Sequence, residues 1–134
     1  MLEKKELGDL NLKGKKILIV EDDFVSAQLI KELFRETNVE MIHVLTASAA
    51  IELINNNNKI DVVLLDIQLP DMNGLHVAKH IKQKNRNIII VVQTAYAFDT
   101  YISKSKEIGC DYFLSKPLDS KKLFEVFNKI FKKL

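Results

Sequence analysis

Short apolar runs that alternate with segments of helical periodicity constrain the fold of this chain more than any other feature. The runs cover residues 17–20, 62–65 and 88–92, and each is an unbroken series of Val, Ile and Leu. An unbroken apolar run is typical of a strand covered on both faces, and strands that alternate with helices form a parallel sheet. Right-handed crossovers then place helices on both sides of that sheet. We therefore expect an α/β protein.

The rest of the pattern predicts five βα units. Further strands are predicted over residues 41–45 and 112–114. Ser48 is the candidate N-cap of the second helix, the fourth helix is predicted from Phe98 to a stop at Gly109, and Asp119 is the candidate N-cap of the last helix. The economical arrangement is one doubly wound (βα)₅ domain with a five-stranded parallel sheet of order 2-1-3-4-5, a flavodoxin-like fold.

The length of the chain, 134 residues, suits one domain with one sizeable core. Residues 1–14 are rich in charge and end at a glycine, ahead of the first strongly apolar run. We interpret this segment as a leader or linker that stays outside the core. The domain is accordingly predicted to span residues 15–134.

Composition excludes several classes of protein. The 20 basic and 18 acidic side chains nearly cancel, so no overall field favours nucleic acid, and we expect no direct nucleic-acid binding. The apolar runs are far shorter than the roughly 20 residues that cross a bilayer, which predicts no membrane insertion and a cytoplasmic location. A single cysteine, Cys110, excludes an internal disulfide. The three histidines (His43, His76 and His80) lack metal-ligand company and are assigned no role.

Polar and charged side chains stand where the predicted strands end. Glu21 and Asp22 follow the first strand, Asp66 the third, Thr94 ends the fourth, and Lys116 follows the fifth. The carboxyl ends of parallel strands lie at one edge of a sheet, and ligands bind there near the switch point between the first and third strands. These five side chains are therefore predicted to converge.

The predicted cluster suits phosphoryl chemistry. Carboxylates held close together repel one another unless a cation offsets their charge. Mg²⁺, or Mn²⁺ in its place, takes one or two carboxylates, a carbonyl, water and phosphate oxygens, which fits Asp22 and Asp66. Attack by the Asp66 carboxylate on phosphorus would give an acyl phosphate, with Lys116 and Thr94 contacting the phosphoryl oxygens.

Four motifs in the chain are similar to those of one known family. They are ILIVEDD, VVLLDIQLPDMNG, VVQTAYA and GCDYFLSKP. From Lys16 onward the sequence resembles the receiver domains of two-component response regulators and hybrid sensor histidine kinases, and the hybrid-kinase receivers most of all. The resemblance implies the receiver version of the flavodoxin-like fold and a place in a phosphorelay. It puts the acid pair on Glu21 and Asp22 and the phosphoryl acceptor on Asp66.

The resemblance also implies a ligand set for the metal ion. Mg²⁺ would be held by Asp22, Asp66 and the backbone carbonyl of Gln68, while Glu21 would act through a metal-bound water. Gln68 and Tyr96 occupy positions that tend to control the lifetime of the acyl phosphate in the family.

A switch is implied as well. Phosphorylation would draw Thr94 toward the phosphoryl group and let Phe113 rotate inward, which would alter the surface of the fourth helix, fifth strand and fifth helix. That surface could also pair two copies as a homodimer. The phosphoryl donor would be a sensor histidine kinase or a histidine phosphotransfer protein, docked near Phe24, Val25 and Tyr112. A hydrophobic staple is the rival interpretation of the first two.

Three other functions fit single features of the sequence. A haloacid-dehalogenase-type phosphatase would also use an aspartate nucleophile. It requires a second Asp two residues later as a general acid, and this chain has Gln68 at that position. A mononucleotide binder wants a phosphate loop after the first strand, where residues 21–23 are acidic and would repel phosphate. A pseudo-receiver that only mediates contacts is the remaining alternative. The leading hypothesis is a switching module that catalyses only its own phosphorylation and dephosphorylation, either free-standing or cut from a hybrid kinase.

Overall fold

The fold is a five-stranded, all-parallel sheet with helices on both sides. The structure is a computed structural model and describes residues 6–56, 59–95 and 99–132. The strands are β1 (Lys16–Val20), β2 (Glu40–Val44), β3 (Val62–Asp66), β4 (Ile89–Thr94) and β5 (Tyr112–Ser115). Their order is β2-β1-β3-β4-β5, so the predicted doubly wound (βα)₅ fold is confirmed.

Five α-helices connect or follow these strands. They are α1 (Phe24–Phe34), α2 (Ala47–Asn55), α3 (Gly74–Lys84), α4 (Asp99–Ile108) and α5 (Ser120–Phe131). Gly109 ends α4 with a φ of 105°, a conformation that glycine adopts without strain. The predicted start of α4 at Phe98 lies outside the described residues. Of the helices in the described ranges, none has the length and apolar character needed to cross a membrane.

The sheet separates two apolar cores. Alternate residues of each strand point to opposite faces. Ile19, Leu64 and Val91 pack with α1 and α5 on one face. Val20 and Leu65, with their neighbours on the other face, pack with α2 and α3. Because β1, β3 and β4 are covered on both faces, their unbroken apolar runs are the pattern that the fold requires.

Side chains that accept backbone N–H bonds set the start of several helices. Asp119 caps α5 as predicted. Thr46 caps α2, so the prediction that Ser48 does so is wrong. Ser48 lies inside the first turn of α2, where its hydroxyl binds a different acceptor, Asp71.

The segment before β1 belongs to the core. Leu7, Leu10 and Leu12 are 1%, 4% and 2% exposed and pack in the cluster shared by α1 and α5. A short 3₁₀ helix, Leu7–Asp9, carries the first of them, and the N–H of Leu12 donates to the carbonyl of Thr37 at 2.7 Å. The expectation that this segment stays outside the core is wrong for these three leucines. Three apolar residues in an irregular turn leave no periodic pattern by which to recognise them.

Candidate acidic site at the carboxyl edge of the sheet

The carboxyl ends of the central strands bring the predicted residues to one edge. Glu21 follows β1, Asp66 ends β3, Thr94 ends β4 and Lys116 follows β5. The parallel register aligns Val20 with Leu65, so the residues that follow them, Glu21 and Asp66, lie side by side. Side chains that are far apart in the chain therefore meet at the switch point of the sheet.

Lys116 links the two buried carboxylates. Its Nζ donates to Glu21 Oε1 at 2.6 Å and to Asp66 Oδ2 at 2.8 Å. The Glu21 and Asp66 side chains are only 1% and 7% exposed, against 23% for Lys116. Hydrogen bonds between ionised groups are strong in such poorly solvated surroundings. The ammonium therefore fixes the positions of both carboxylates.

Burial and charge act on the protonation of this pair. Burial raises the pKa of Glu21, although the hydrogen bond from Lys116 acts in the opposite direction. For Lys116, burial alone would lower the pKa, but the hydrogen bonds to Asp66 and Glu21 and their negative charges outweigh it and raise the pKa. Lys116 is therefore a permanently charged cation at neutral pH.

A third carboxylate, that of Asp22, completes an acidic cluster. One oxygen from each of Glu21, Asp22 and Asp66 lies within 4.8 Å of the others, and Asp22 is exposed while the other two are buried. The cluster thus brings three carboxyl groups and one ammonium together. A hard divalent cation is bound by carboxylate oxygens placed in this way, so these residues fit Mg²⁺.

The loop from β3 to α3 holds the Asp66 carboxylate from the other side. The N–H of Gln68 donates to Asp66 Oδ1 at 2.9 Å, and the N–H of Gly74 donates to the carbonyl of Ile67 at 2.6 Å. A β-carbon at Gly74 would collide with the backbone carbonyl oxygen of Asp66 and lie 2.8 Å from the Cα of Ile67. Only glycine allows α3 to begin this close to the end of β3.

Asp71 anchors the same loop to α2. Its carboxylate accepts hydrogen bonds from the N–H of Ala47 at 2.9 Å, the N–H of Ser48 at 2.9 Å and the Ser48 hydroxyl at 2.7 Å. Chiefly because of the Ser48 hydroxyl, the pKa of Asp71 is lowered to about 2. No local pattern in the sequence predicts this contact, because it joins a loop to the first turn of a helix 23 residues away in the chain.

Two contacts hold the backbone around the acid pair. His43 Nε2 lies 2.7 Å from the carbonyl oxygen of Glu21 and donates to it. The N–H of Asp23 donates to Glu21 Oε2 at 3.2 Å, and Asp23 itself caps α1. His43 had no predicted role, and its period-two position on a half-buried strand gave no reason to assign one.

The predicted switch residues lie on β4 and β5. Thr94 is 1% exposed, and its carbonyl accepts from the N–H of Lys116 at 2.8 Å. Phe113 is partly buried against the core on the α2 and α3 side. Tyr96, predicted to tune hydrolysis, lies outside the described residues. The roles of Thr94, Phe113 and Gln68 remain predictions.

The predicted docking residues differ in how exposed their side chains are. Phe24 and Val25, at the start of α1, are 61% and 76% exposed, as a docking surface requires. Tyr112 is partly buried against the core on the α1 and α5 side. The first two lie beside the acidic cluster, whereas Tyr112 begins β5, at the end of that strand away from Lys116.

Fold and site together define a doubly wound α/β protein with a cluster of three acids at its switch point. The model of the response regulator receiver domain matches residues 17–128. The chain belongs to this family.

Relatives agree with this assignment. The chain is 34% identical to the cyclic di-GMP phosphodiesterase of Thermotoga maritima over 77% of its length, and 29% identical to the sporulation initiation phosphotransferase F of Bacillus subtilis over 87%. It is also 29% identical to the hybrid signal transduction histidine kinase L of Dictyostelium discoideum over 95% of its length. A solved two-component response regulator from Clostridium difficile superposes with a TM-score of 0.83, at 28% identity, over 89% of this chain and 97% of that one.

The relatives differ in how much of their own length is matched. The chain covers 27% of the phosphodiesterase and 8% of the hybrid kinase, but 93% of the sporulation phosphotransferase. The hybrid kinase is one of several distant relatives, so the comparisons do not favour the receivers of hybrid kinases over others.

Proposed function

We propose that this chain is a phospho-accepting receiver of a two-component system, with Asp66 as the acceptor. The observation that carries the proposal is the buried Asp66 carboxylate, held by the Lys116 ammonium within a cluster of three acids. Membership of the receiver family supports the same proposal. The donor is the phosphohistidine of a sensor histidine kinase or of a histidine phosphotransfer protein.

The chemical step transfers one phosphoryl group. A carboxylate oxygen of Asp66 forms a bond to phosphorus while the bond from phosphorus to the donor imidazole breaks, and the imidazole leaves with the bonding electron pair. Lys116 donates hydrogen bonds to the phosphoryl oxygens, and the N–H of Gln68 keeps the Asp66 carboxylate oriented. Hydrolysis of the acyl phosphate returns Asp66 to its free form.

The cation site is proposed on the acidic cluster. Asp22, Asp66 and the backbone carbonyl of Gln68 would hold Mg²⁺ or Mn²⁺, with Glu21 contributing through a bound water. When bound, the cation would supply positive charge that offsets the negative charge of the carboxylates and of the incoming phosphoryl group. The close spacing of one oxygen from each of the three carboxyl groups, within 4.8 Å of one another, supports this assignment.

The proposed switch connects the site to the surface of α4, β5 and α5. Thr94 moves toward the phosphoryl group and Phe113 turns inward behind it, which shifts the population between two packings. Gln68 and Tyr96 set the lifetime of the acyl phosphate through water access. The altered surface is where an output partner or a second copy of the chain binds.

Partner docking is proposed at the start of α1. Phe24 and Val25 form an exposed apolar patch beside the acids, where the donor histidine has to approach Asp66. The setting is the cytoplasm, and the receiver works either alone or as part of a longer chain. A turnover phosphatase is disfavoured because the position of its general acid holds Gln68.

Intact mass tests the proposal. The wild type is incubated with acetyl phosphate and Mg²⁺, beside Asp66→Asn and an EDTA control. A gain of about 80 Da, the mass of one phosphoryl group, is expected only in the wild type incubated with both acetyl phosphate and Mg²⁺. Failure to gain this mass, together with failure to bind beryllium fluoride, would identify a pseudo-receiver.

A further inference from the structure

One polar side chain inside the sheet takes no part in the proposed chemistry. Gln93, on β4, is fully buried. Neither its Nε2 nor its Oε1 has a hydrogen-bond partner among the residues that the structure describes. An unpaired buried amide loses its hydration without compensation, so such groups are rare and call for a partner or a function.

The register of the sheet places Gln93 beside Asp66, on the neighbouring strand. Gln93 pairs with Asp66 across β3 and β4, and aligned residues of parallel strands point to the same face. Val91, two residues earlier on β4, packs in the core on the α1 and α5 side. The Gln93 side chain therefore lies on that face, one strand away from Asp66.

Gln93 and Lys116 line the same small cavity. The cavity lies between α1 and the segment that follows β5, has a volume of about 70 Å³, and has apolar walls that include Ile30 and Leu118. Ser26, on α1, contributes a third polar group. Leu29, which also lines the cavity, is 51% exposed, so the cavity is open to solvent on one side. A bound water needs two to four polar partners and room for about 10–15 Å³, so the cavity has room for one.

Lys116 has one hydrogen-bond donor beyond those that bind the carboxylates. An ammonium has three N–H donors, and two of these are directed at Glu21 and Asp66. We propose that Gln93 is a positioning residue for Lys116. The third N–H of the Lys116 ammonium donates to a water held in the cavity, and this water donates to the carboxamide oxygen of Gln93. This fixes the ammonium toward Asp66 from the sheet side. The inference rests on the proposed function, because Lys116 contacts the phosphoryl oxygens there.

Apolar variants of similar bulk test the role. Gln93→Met and Gln93→Leu remove the amide, and Gln28→Met makes the same chemical change at an exposed position of α1. Phosphoryl uptake from acetyl phosphate is measured at saturating Mg²⁺, with and without Lys116→Met. We expect the Gln93 variants to slow uptake about tenfold, as loss of a supporting partner does, with the Mg²⁺ half-saturation unchanged. Combined with Lys116→Met, they should cause no further loss, since residues that act as a unit are not additive.

A readout that does not depend on activity accompanies the rates. In the metal-free protein, the carbon and nitrogen resonances of the Lys116 side chain should shift in the Gln93 variants and not in Gln28→Met. Thermal denaturation establishes that each variant is folded. If both apolar variants unfold, a high-resolution crystal structure of the wild type replaces them, and it should show a water bonded to Gln93 and Lys116.

Each possible result either supports or overturns the positioning role of Gln93. Unchanged uptake with unchanged Lys116 resonances overturns the inference and leaves Gln93 as a tolerated core residue. A loss of equal size in the Lys116→Met background also overturns it, because Gln93 would then act independently of Lys116. A dry cavity in the crystal does the same. If the wild type takes up no phosphoryl group, the proposed function fails and this inference falls with it.

Discussion

Lys116 Nζ lies 2.6 Å from Glu21 Oε1, which joins two residues separated by 95 positions in the chain. The same ammonium binds Asp66, so removing it leaves two neighbouring buried carboxylates without their countercharge. Breaking a buried ion pair in this way is far more costly than never having formed it. The stability of the fold and the chemistry of the site are therefore coupled through Lys116.

Lys116→Met should lower the free energy of unfolding by about 3 kcal/mol, because Glu21 and Asp66 then repel each other without compensation. Saturating Mg²⁺ should restore part of this loss, since the cation supplies the missing charge. Urea denaturation with and without Mg²⁺ measures both effects.

Lys82→Met is the matched control for Lys116→Met. Lys82 pairs with Asp111 at 2.9 Å and its side chain is 11% exposed, but it lies outside the acidic cluster. The control should be destabilised without any additional rescue by Mg²⁺. Equal stabilisation of both variants by Mg²⁺ would contradict the idea that the cation replaces the missing charge of Lys116.

Gly74→Ala should damage the site by steric overlap. Its β-carbon meets the backbone carbonyl of Asp66, and overpacking of this kind costs about 1–3 kcal/mol. Because the backbone of Asp66 must move, phosphoryl uptake should fall along with stability. Gly8→Ala serves as the control, since its β-carbon would lie 3.3 Å from the flexible Glu36 carboxylate and should be tolerated. Normal uptake by folded Gly74→Ala would show that the close approach is dispensable.

The three hydrogen bonds that Asp71 accepts should make the stability of the fold depend on pH in the acid range. Its pKa falls from 3.8 to about 2 in the folded chain, so its contribution is complete above pH 3.8 and is lost as the pH drops toward 2. Asp71→Asn should therefore be less stable than the wild type at neutral pH, and the difference should shrink between pH 3.8 and 2. Urea denaturation at several pH values follows this change, with Glu52→Gln, an exposed acid on α2, as the control. A difference that stays constant down to pH 2 would exclude the ionised carboxylate as its source.

Leu12→Ala tests the core role of the segment before β1. Its side chain is 2% exposed, and truncating a fully buried leucine costs about 2–5 kcal/mol. Leu45→Ala, at a position 49% exposed, should change stability by only about 0.5 kcal/mol. Denaturant midpoints compare the two variants. Equal small losses would show that residues 7–12 are not held against α1 and α5 in solution.

Much of the architecture follows from local patterns. Continuous apolar runs predicted β1, β3 and β4, while Gly109 and Asp119 correctly predicted a helix end and a helix start. The acidic cluster was predictable because parallel strands that begin in register also end together, which places Glu21 beside Asp66.

Contacts between irregular segments were not predictable from local patterns. The hydrogen bonds from Ala47 and Ser48 to Asp71 join the first turn of α2 to a loop that lies 24 and 23 residues further along the chain, and neither residue type demands the other. Leu7, Leu10 and Leu12 follow no regular period, so their burial emerges only from the packing of α1 and α5. Serine is at least as good a capping residue as threonine, so residue type alone did not favour Thr46, which caps α2, over Ser48.

Chemical trapping of the acyl phosphate tests the central claim most directly. After incubation with acetyl phosphate and Mg²⁺, borohydride reduction converts a phosphorylated aspartate to homoserine, which peptide mass spectrometry then locates. If Asp66 is the acceptor, homoserine is expected at position 66 alone, and none is expected in a sample treated with EDTA. Homoserine at position 22 or 23, or at no position in a protein that binds Mg²⁺, would contradict the assignment of Asp66 as the phosphoryl acceptor.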